Sequence, residues 1–437
     1  MAEGLTEPNT LSASAAVTAI SQGRLNSEAL VRACLERIEA REDGIHAWAH
    51  LDPRLALEQA RERDRQPWRG RLQGIPIGIK DIIDTADMPT TYGSPIYHNH
   101  QPSRDASCVA RARAQGAVIL GKTRSTEFAA FHPATTANPH DLRHTPGGSS
   151  SGSAAAVADA MVPLAYGTQT AGSIIRPASY CGVVGFKPTF GVIDRSGVML
   201  FADSLDTVGV FARSVEDAAL LAGVVAGWDA LAEAPAAATV RRVLVCRAPR
   251  WSQLAAEASA AVESALDVFG AAGATVQELV LPADFEALVE VQKTVQAFEG
   301  ARALAYEVSA HQERLSPELL EMFAGALKTS FEHFLDCLRT AASWRSRFDE
   351  LVAEADCIVT ASALGEAPQG LEATGDPLLN RIWTLLHMPA VTLPCGTGPQ
   401  GLPVGVQLLG RRWGDAQLIG TARWLAERMK EDGAAKD

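Results

Sequence analysis

One stretch, residues 147–191, constrains this chain more than any other because it concentrates glycine and serine around two turns. It reads GGSSSGSAAAVADAMVPLAYGTQTAGSIIRPASYCGVVGFKPTFG, with a helical run of small residues at 153–161. Glycine adopts backbone conformations that other residues avoid, so backbone N–H groups in glycine-rich turns can converge on a ligand. Two such turns on either side of a helix predict a binding or catalytic site.

The composition limits the kinds of molecule that this chain is expected to bind. The chain has 437 residues, 47% of them hydrophobic, and a net charge of -12 at pH 7, which argues against direct binding to nucleic acid. Its seven cysteines form no C-x-x-C pair, and the acidic N-terminus lacks a signal-peptide pattern. No segment has the length and apolarity of a membrane span. We therefore expect a cytoplasmic protein that acts on a small molecule, with no nucleic acid and no membrane.

Strands alternate with helices along much of the chain, which predicts an α/β protein. We expect a single domain, 1–437, made of N-terminal helices (1–64), a catalytic core (65–228), an α/β and helical insertion or cap (240–351) and a C-terminal return to the core sheet (352–437). Residues 74–83, GIPIGIKDII, are nearly continuous apolar sequence and predict a strand buried on both faces. Residues 284–351 are predicted to be helical and to lie over the site as a lid or cap.

Residues 116–123, GAVILGKT, match the phosphate-loop pattern G-x-x-x-x-G-K-[ST]. A phosphate loop is a turn between a strand and a helix, whereas the four variable positions here have the composition of a strand. The pattern therefore favours a core strand with Lys122 at its exposed end over a nucleotide site.

Ser173 is the candidate nucleophile, because it ends a turn, residues 167–172, whose backbone N–H groups can converge on an oxyanion. A serine hydroxyl needs a base, yet none of the ten histidines lies within residues 147–191. Lys80 is the alternative base, since burial in an apolar strand favours its neutral amine. Ser149 can relay the proton between them, because a hydroxyl both donates and accepts.

Each assignment has a purely structural alternative. Ser173 can simply finish a tight turn, and Lys80 can be a surface lysine paired with Asp81 or Asp84. The serine run can be a linker or a helix N-cap. Ser150 fits a second pattern, G-x-S-x-G, the nucleophile elbow of histidine-dependent hydrolases, but a polar loop precedes it where that elbow needs a strand.

These residues resemble the amidase signature family, and GIPIGIKD, GKT, SLDTVG and GLPVGVQLLG follow in that family's order over nearly the whole chain. The resemblance implies an α/β/α sandwich with a large central mixed sheet covered by helices on both faces. It also implies a Ser–cis-Ser–Lys triad, in which Ser173 is the nucleophile, Ser149 has the cis peptide bond and Lys80 is the lysine. The implied oxyanion hole consists of the backbone N–H groups of Thr170, Ala171, Gly172 and Ser173.

The chain departs from the usual family pattern in three places. Most members have Asp where it has Gln169 and Gly where it has Ala171, and the usual S-I-R-x-P becomes S-I-I-R-P, which moves the arginine to Arg176. With GIKDIID and TGDPLLNRIWTL, these departures resemble the malonamidase-type branch. We expect Gln169 and Arg176 to contact substrate, with Arg176 suited to a carboxylate. The alternative is an Arg176 that pairs with an acid and braces the turn.

The resemblance implies an amidase that hydrolyses the C–N bond of a small acyl amide bearing a carboxylate, such as malonamate, through a Ser173 acyl-enzyme with release of ammonia. One alternative is the glutaminase component of a tRNA-dependent amidotransferase, its ammonia-supplying A subunit, which shares the signature. The other is a non-enzymatic binding or nucleotide module. No metal or organic cofactor is expected. The expected partner is a small-molecule amide, and a homodimer is left open.

Overall fold

A single mixed β-sheet organises the computed structural model, which describes residues 7–130, 132–248 and 250–434. Its strands are β1 (Trp48–Leu51), β2 (Pro76–Lys80), β3 (Val118–Thr123), β4 (Leu164–Gln169), β5 (Val184–Lys187), β6 (Thr207–Ala212), β7 (Arg242–Val245), β8 (Thr275–Glu278), β9 (Cys357–Ala361), β10 (Ala390–Thr397) and β11 (Pro403–Leu409). Across the sheet the order is β1-β3-β2-β4-β6-β5-β10-β11-β9-β7-β8. The expected large mixed sheet is therefore confirmed.

Helices surround this sheet. They are α1 (Ala13–Ser21), α2 (Ser27–Ile45), α3 (Pro53–Arg65), α4 (Ser107–Ala114), α5 (Ser151–Ala158), α6 (Ile175–Tyr180), α7 (Val215–Ala226), α8 (Asp229–Ala232), α9 (Ala256–Ala271), α10 (Leu288–Ala303), α11 (Ala305–His311), α12 (Pro317–Ala326), α13 (Phe331–Leu351), α14 (Leu378–Leu385) and α15 (Asp415–Ala434). Within the described ranges, none of them combines the length and the apolar character needed to cross a bilayer.

The parallel strands β3, β2 and β4 lie side by side, and every residue in them is buried. Burial on both faces explains why these strands begin with apolar residues without alternation, although each of them ends in polar residues. Because parallel strands end at the same edge of a sheet, the last residues of β2 and β4, Lys80 and Gln169, lie close together. The turn that follows β4 therefore begins beside Lys80.

Small residues in α5 let this helix pack directly against neighbouring backbone. A Cβ atom on Gly152 would lie 2.1 Å from the carbonyl oxygen of Ala47 and 2.5 Å from the backbone nitrogen of Arg124. Any side chain at this position would force the backbones apart. The glycine and serine content of this stretch thus has a packing role as well as a place in the candidate site.

The predicted helical segment 284–351 is confirmed as α10 to α13. It has its own apolar core, in which Phe285, Trp344 and Phe348 pack with Trp383 of α14. Since α10 also packs against α14, the segment reaches the elements that surround the turn after β4.

The structure corrects two details of the sequence-based prediction. The opening region contains a strand, β1, which pairs antiparallel with β3, in addition to its helices. GAVILGKT does form a core strand, but Lys122 is fully buried rather than exposed. Its Nζ donates to the carbonyl oxygen of Ile83 at 2.5 Å and to Thr90 Oγ1 at 2.6 Å, and lies 3.7 Å from Asp81 Oδ1. A lysine held in this way does not support a phosphate loop.

Candidate active site

Lys80, the last residue of β2, is completely buried and has two hydroxyl partners. Its Nζ lies 2.7 Å from Ser149 Oγ and 2.8 Å from Thr168 Oγ1. Within the described residues it forms no ion pair with a carboxylate. Burial lowers the pKa of Lys80 from 10.5 to about 7, against a smaller opposing effect of the Asp206 charge. A substantial fraction of the amine is therefore neutral near pH 7.

Ser149 follows a cis peptide bond with Gly148 and is 3% exposed. Its carbonyl oxygen accepts a hydrogen bond from Thr126 N at 3.2 Å. In the loop that Thr126 begins, Phe128 and Ala129 have φ angles of 46° and 56°, which are unfavourable for residues with a side chain. Residues with such unfavourable backbone angles are concentrated at functional sites. Nothing in the sequence pattern indicated this loop conformation.

Ser173 lies at the end of the turn after β4 and is 8% exposed, more than Lys80 or Ser149. The structure thus gives the candidate nucleophile the best access to solvent of the three residues. Among the described residues, the hydrogen bonds join Lys80 to Ser149 but do not extend to Ser173 Oγ. Such catalytic hydrogen bonds often form only when substrate is bound.

The turn at residues 170–173 is held from outside, and its N–H groups remain available. No hydrogen bond from the backbone N–H of Ala171, Gly172 or Ser173 to a described residue is formed. A Cβ atom on Gly172 would lie 2.4 Å from Asn380 Oδ1, so glycine is required for α14 to approach. The turn can therefore present several N–H groups to one oxygen atom.

Gln169 is engaged within the protein. Its Oε1 accepts hydrogen bonds from the backbone nitrogens of Ile174 and Ile175 at 2.9 and 3.1 Å, and its Nε2 donates to Thr384 Oγ1 at 3.0 Å. Both ends of the side-chain amide are thus used to brace the turn. A contact of Gln169 with substrate stays a prediction.

Two residues near the site were missed in the sequence analysis. Asp206, in the SLDTVG motif, is buried and accepts hydrogen bonds from Thr170 Oγ1 and from the backbone nitrogens of Phe201 and Ala202. Burial raises the pKa of its carboxyl group. Thr168 supplies the second hydroxyl on Lys80. The motif order had marked SLDTVG, but its contact with Thr170 depends on the pairing of β4 with β6.

Contacts from distant helices also hold the turn. Thr384 Oγ1 of α14 donates to the carbonyl oxygen of Ala171 at 2.8 Å. Gln292 Nε2 of α10 donates to the carbonyl oxygen of Thr170 at 3.0 Å. These residues lie more than one hundred positions away in the sequence, so no local pattern identifies them.

Arg176 is 3% exposed and has no carboxylate partner in the described part of the chain. Its Nη2 donates to the carbonyl oxygen of Gly148 at 2.6 Å and to Thr374 Oγ1 at 3.1 Å. Its Nε and Nη1 are buried without a hydrogen-bond partner among the described residues. Burial lowers the pKa of Arg176 to about 10. The alternative in which this arginine pairs with an internal acid is therefore not observed.

Ser150 and the nearby histidine do not form a second catalytic pair. Ser150 is fully buried, and its Oγ contacts the backbone of Thr168 at 3.3 Å. His144 Nε2 is 3.1 Å from Gln400 Oε1, and its Nδ1 is 3.4 Å from Asp141. Among the residues that the structure describes, Ser150 Oγ has no hydrogen bond to a side chain that could act as a base.

Within the described ranges, no group of three or more His, Cys, Asp or Glu side chains is arranged as a metal site.

The sequence as a whole matches a known family. The model of the amidase family matches residues 29–419, and the chain belongs to this family. Its members are hydrolases that act on carbon–nitrogen bonds, and the Ser–cis-Ser–Lys triad is characteristic of them. The expected fold and enzyme class are therefore confirmed.

Individual relatives span the same length. The chain is 36% identical over 470 residues to the A subunit of the glutamyl-tRNA(Gln) amidotransferase of Chloroflexus aggregans, with 95% of this chain and 96% of that protein covered. The native peptide amidase of Stenotrophomonas maltophilia has a similar structure, with a TM-score of 0.83, 29% identity and coverage of 96% and 97%. The structure of the A subunit of the Thermotoga maritima glutamyl-tRNA(Gln) amidotransferase is also similar, with a TM-score of 0.82 and 27% identity. The match covers 96% of this chain and 95% of that protein. None of the three is of the malonamidase type, and that finer resemblance stays a prediction.

Proposed function

We propose that this protein hydrolyses a primary amide through a Ser173 acyl-enzyme and releases ammonia. The observation that carries the proposal is the contact of 2.7 Å between buried Lys80 Nζ and Ser149 Oγ, beside the turn that ends at Ser173. A lysine with a pKa of about 7 and hydroxyl neighbours can accept a proton near neutral pH. A lysine paired with a carboxylate would instead keep its proton and its positive charge.

In the proposed first half-reaction, Ser173 Oγ attacks the amide carbon and passes its proton to Ser149, which passes its own proton to neutral Lys80. The carbonyl oxygen becomes an oxyanion, to which the N–H groups of the turn at 170–173 donate. The C–N bond then breaks, and the proton returns along the same path to the leaving nitrogen as ammonia. Water next attacks the ester carbon and passes a proton through Ser149 to Lys80. The bond between that carbon and Ser173 Oγ then breaks, the proton returns through Ser149 to Ser173 Oγ, and the acid is freed.

Arg176 supports an amide whose acyl part carries a carboxylate. Two of its nitrogens are buried and lack hydrogen-bond partners among the described residues, and a planar guanidinium matches a carboxylate well. Malonamate and glutamine both contain a primary amide and a carboxylate, so Arg176 suits either substrate.

Two candidates fit this chemistry: the first is a free-standing amidase acting on a malonamate-like substrate, and the second is an ammonia-supplying A subunit that uses glutamine. Similarity to known proteins favours the second candidate. Two A subunits of glutamyl-tRNA(Gln) amidotransferases match at 34–36% identity over more than nine-tenths of the chain. A malonamate-like substrate rests on Arg176 and the S-I-I-R-P spacing alone. In the second candidate the protein would act with other subunits, whereas in the first it acts by itself.

Ammonia release from malonamate, glutamine and the uncharged propionamide tests the proposal. Wild-type protein is expected to release ammonia from at least one carboxylate-bearing amide, and Ser173→Ala is expected to release none while keeping its melting temperature. An active Ser173→Ala variant would overturn the nucleophile assignment. Glutaminase activity in a larger assembly isolated from the source cells supports the amidotransferase candidate, and malonamate hydrolysis by the purified chain supports the free-standing amidase.

A further inference from the structure

A second buried arginine is tied to the candidate oxyanion turn. Arg381 belongs to α14 and is 6% exposed. Like Arg176, it forms no ion pair with a carboxylate in the described part of the chain. Burying a guanidinium without a counter-ion is costly unless a partner supplies negative charge. Two such groups near one turn call for an explanation.

The hydrogen bonds of Arg381 use one of its nitrogens. Its Nη1 donates to Gln292 Oε1 at 2.6 Å and to Gln296 Oε1 at 3.2 Å. Both acceptors are neutral amides, so they orient the guanidinium without cancelling its charge. The hydrogen bonds among the described residues leave Arg381 Nε and Nη2 free to donate to a ligand.

The same residues connect Arg381 to the turn. Gln292 donates its other hydrogen bonds to the carbonyl oxygen of Thr170 and to Gln296 Oε1, both at 3.0 Å. The residue before Arg381, Asn380, contacts the turn at Gly172, and Thr384 donates to Ala171 from one helical turn later. Arg381 is therefore fixed relative to the turn that ends at the candidate nucleophile.

The two arginines also influence each other. The charge of Arg381 contributes to the lowered pKa of Arg176, which adds to the larger effect of burial. Tyr180 and Asp376 oppose this change at Arg176. Asp376 and Glu290 oppose the similar effect of burial at Arg381, but neither carboxylate is in ion-pair contact with an arginine of this pair. Because no carboxylate contacts either guanidinium group in the described part of the chain, a negative ligand that reached both groups would be stabilised there.

We propose that Arg381 is a specificity-determining residue that, together with Arg176, binds the carboxylate of an acidic amide. Gln292 and Gln296 are positioning residues for its guanidinium. This inference rests on the proposed function and sharpens it: the substrate is a short amide whose acyl part is anionic. Uncharged amides of equal size would leave two buried cations uncompensated and would therefore be poor substrates.

Steady-state kinetics with matched charged and neutral amides test this proposal. The pairs are malonamate with propionamide, and glutaramate, which is glutamine without its amino group, with valeramide. Arg381→Met is expected to lower kcat/KM for the charged member that the wild type uses by at least about tenfold, chiefly through KM, and to change the neutral member less than about threefold. Arg381→Lys, which keeps the charge, is expected to recover part of the loss.

A matched control is Arg345→Met on α13. Arg345 is a half-buried arginine whose Nε donates to the carbonyl oxygen of Leu385, the last residue of α14, and it has no hydrogen bond to the turn at 170–173 among the described residues. Its replacement should change charged and neutral amides in equal proportion. Equal losses on both amides for Arg381→Met, or no loss on either, would overturn the role of Arg381.

Binding of malonate to the Ser173→Ala protein, measured by calorimetry, does not depend on turnover. The Ser173→Ala protein is expected to bind malonate, and the Ser173→Ala, Arg381→Met protein is expected to bind it at least about tenfold more weakly. If malonate binds in this way but no amide is hydrolysed, the proposed function fails while the anion site stands. If amides are hydrolysed and charge has no effect on kinetics or binding, the anion site fails alone.

Discussion

Two buried lysines on adjacent parallel strands differ in what surrounds them. Lys80 ends β2 and contacts the hydroxyls of Ser149 and Thr168. Lys122, on the neighbouring β3, contacts Thr90 and a backbone carbonyl group and lies 3.7 Å from the carboxylate of Asp81. Both are fully buried, and burial lowers the pKa of Lys80 to about 7 and that of Lys122 to about 8.

This difference shows that burial alone does not make a lysine a base. The carboxylate beside Lys122 stabilises its ammonium form and ties it to a structural role. The hydroxyls beside Lys80 can each donate or accept a hydrogen bond, so they remain partners for both the neutral and the protonated amine, and without a contacting carboxylate burial favours the neutral form. The proposed mechanism predicts opposite results for matching substitutions at the two positions.

The largest expected effect is on catalysis. Lys80→Met should lower kcat by about 100- to 10,000-fold, because the relay loses its proton acceptor. Lys122→Met should retain kcat per folded molecule within about threefold, since Lys122 contacts none of the candidate catalytic residues. Ammonia release normalised to the folded fraction measures both. A Lys80→Met protein of near-normal activity would contradict the assigned base.

The second effect is on stability, where Lys122→Met is expected to cost more than Lys80→Met. Lys122→Met leaves the Asp81 carboxylate buried without its cation and should lower the free energy of unfolding by about 3–5 kcal/mol. Adding Asp81→Asn should restore part of this loss. Lys80→Met removes no ion pair and should cost less. Urea unfolding compares the wild type with these three variants, and an equal cost for the two single lysine variants would show that the ion pair contributes little.

The third effect is on pH dependence. Because the pKa of Lys80 is lowered, the amine is neutral above about pH 7 and protonated below it. Log kcat/KM should therefore fall by about one unit for each pH unit below 7 and level off above about 8. Lys122→Met should leave this profile in place. A pH optimum near 5 would exclude a neutral lysine base.

The smallest effect concerns the second hydroxyl on each lysine. Thr168→Val removes one hydrogen-bond acceptor from Lys80, worth about 1 kcal/mol, and should lower kcat/KM several-fold. It should also move the midpoint of the pH profile to lower pH, because the lost acceptor favoured the charged amine. Thr90→Val, the matching change at Lys122, should alter neither quantity. Similar kinetic changes in both variants would point to a general packing defect.

The sequence predicted the site best where neighbouring residues carry the signal. The apolar run around Lys80 indicated a buried strand, and the glycine-rich turn before Ser173 indicated free N–H groups. The burial of Lys122 was missed because its charge partner, Asp81, directly follows a different strand, β2. The contacts of Arg176 with Thr374 and of Gln292 with Thr170 join residues far apart in the chain, and no local periodicity encodes them.

Strand order has a consequence for how this protein is made. Strands β1 to β6 form one contiguous half of the sheet, but the outer edge of β5 is completed only by β10. Roughly 200 residues separate β5 from β10, which at about 5–20 residues per second is some 10–40 s of synthesis on the ribosome. For that interval the nascent chain carries an open, apolar strand edge, a template for aggregation. Efficient production of this protein is therefore expected to depend on chaperones that shield the growing polypeptide until its last fifth emerges.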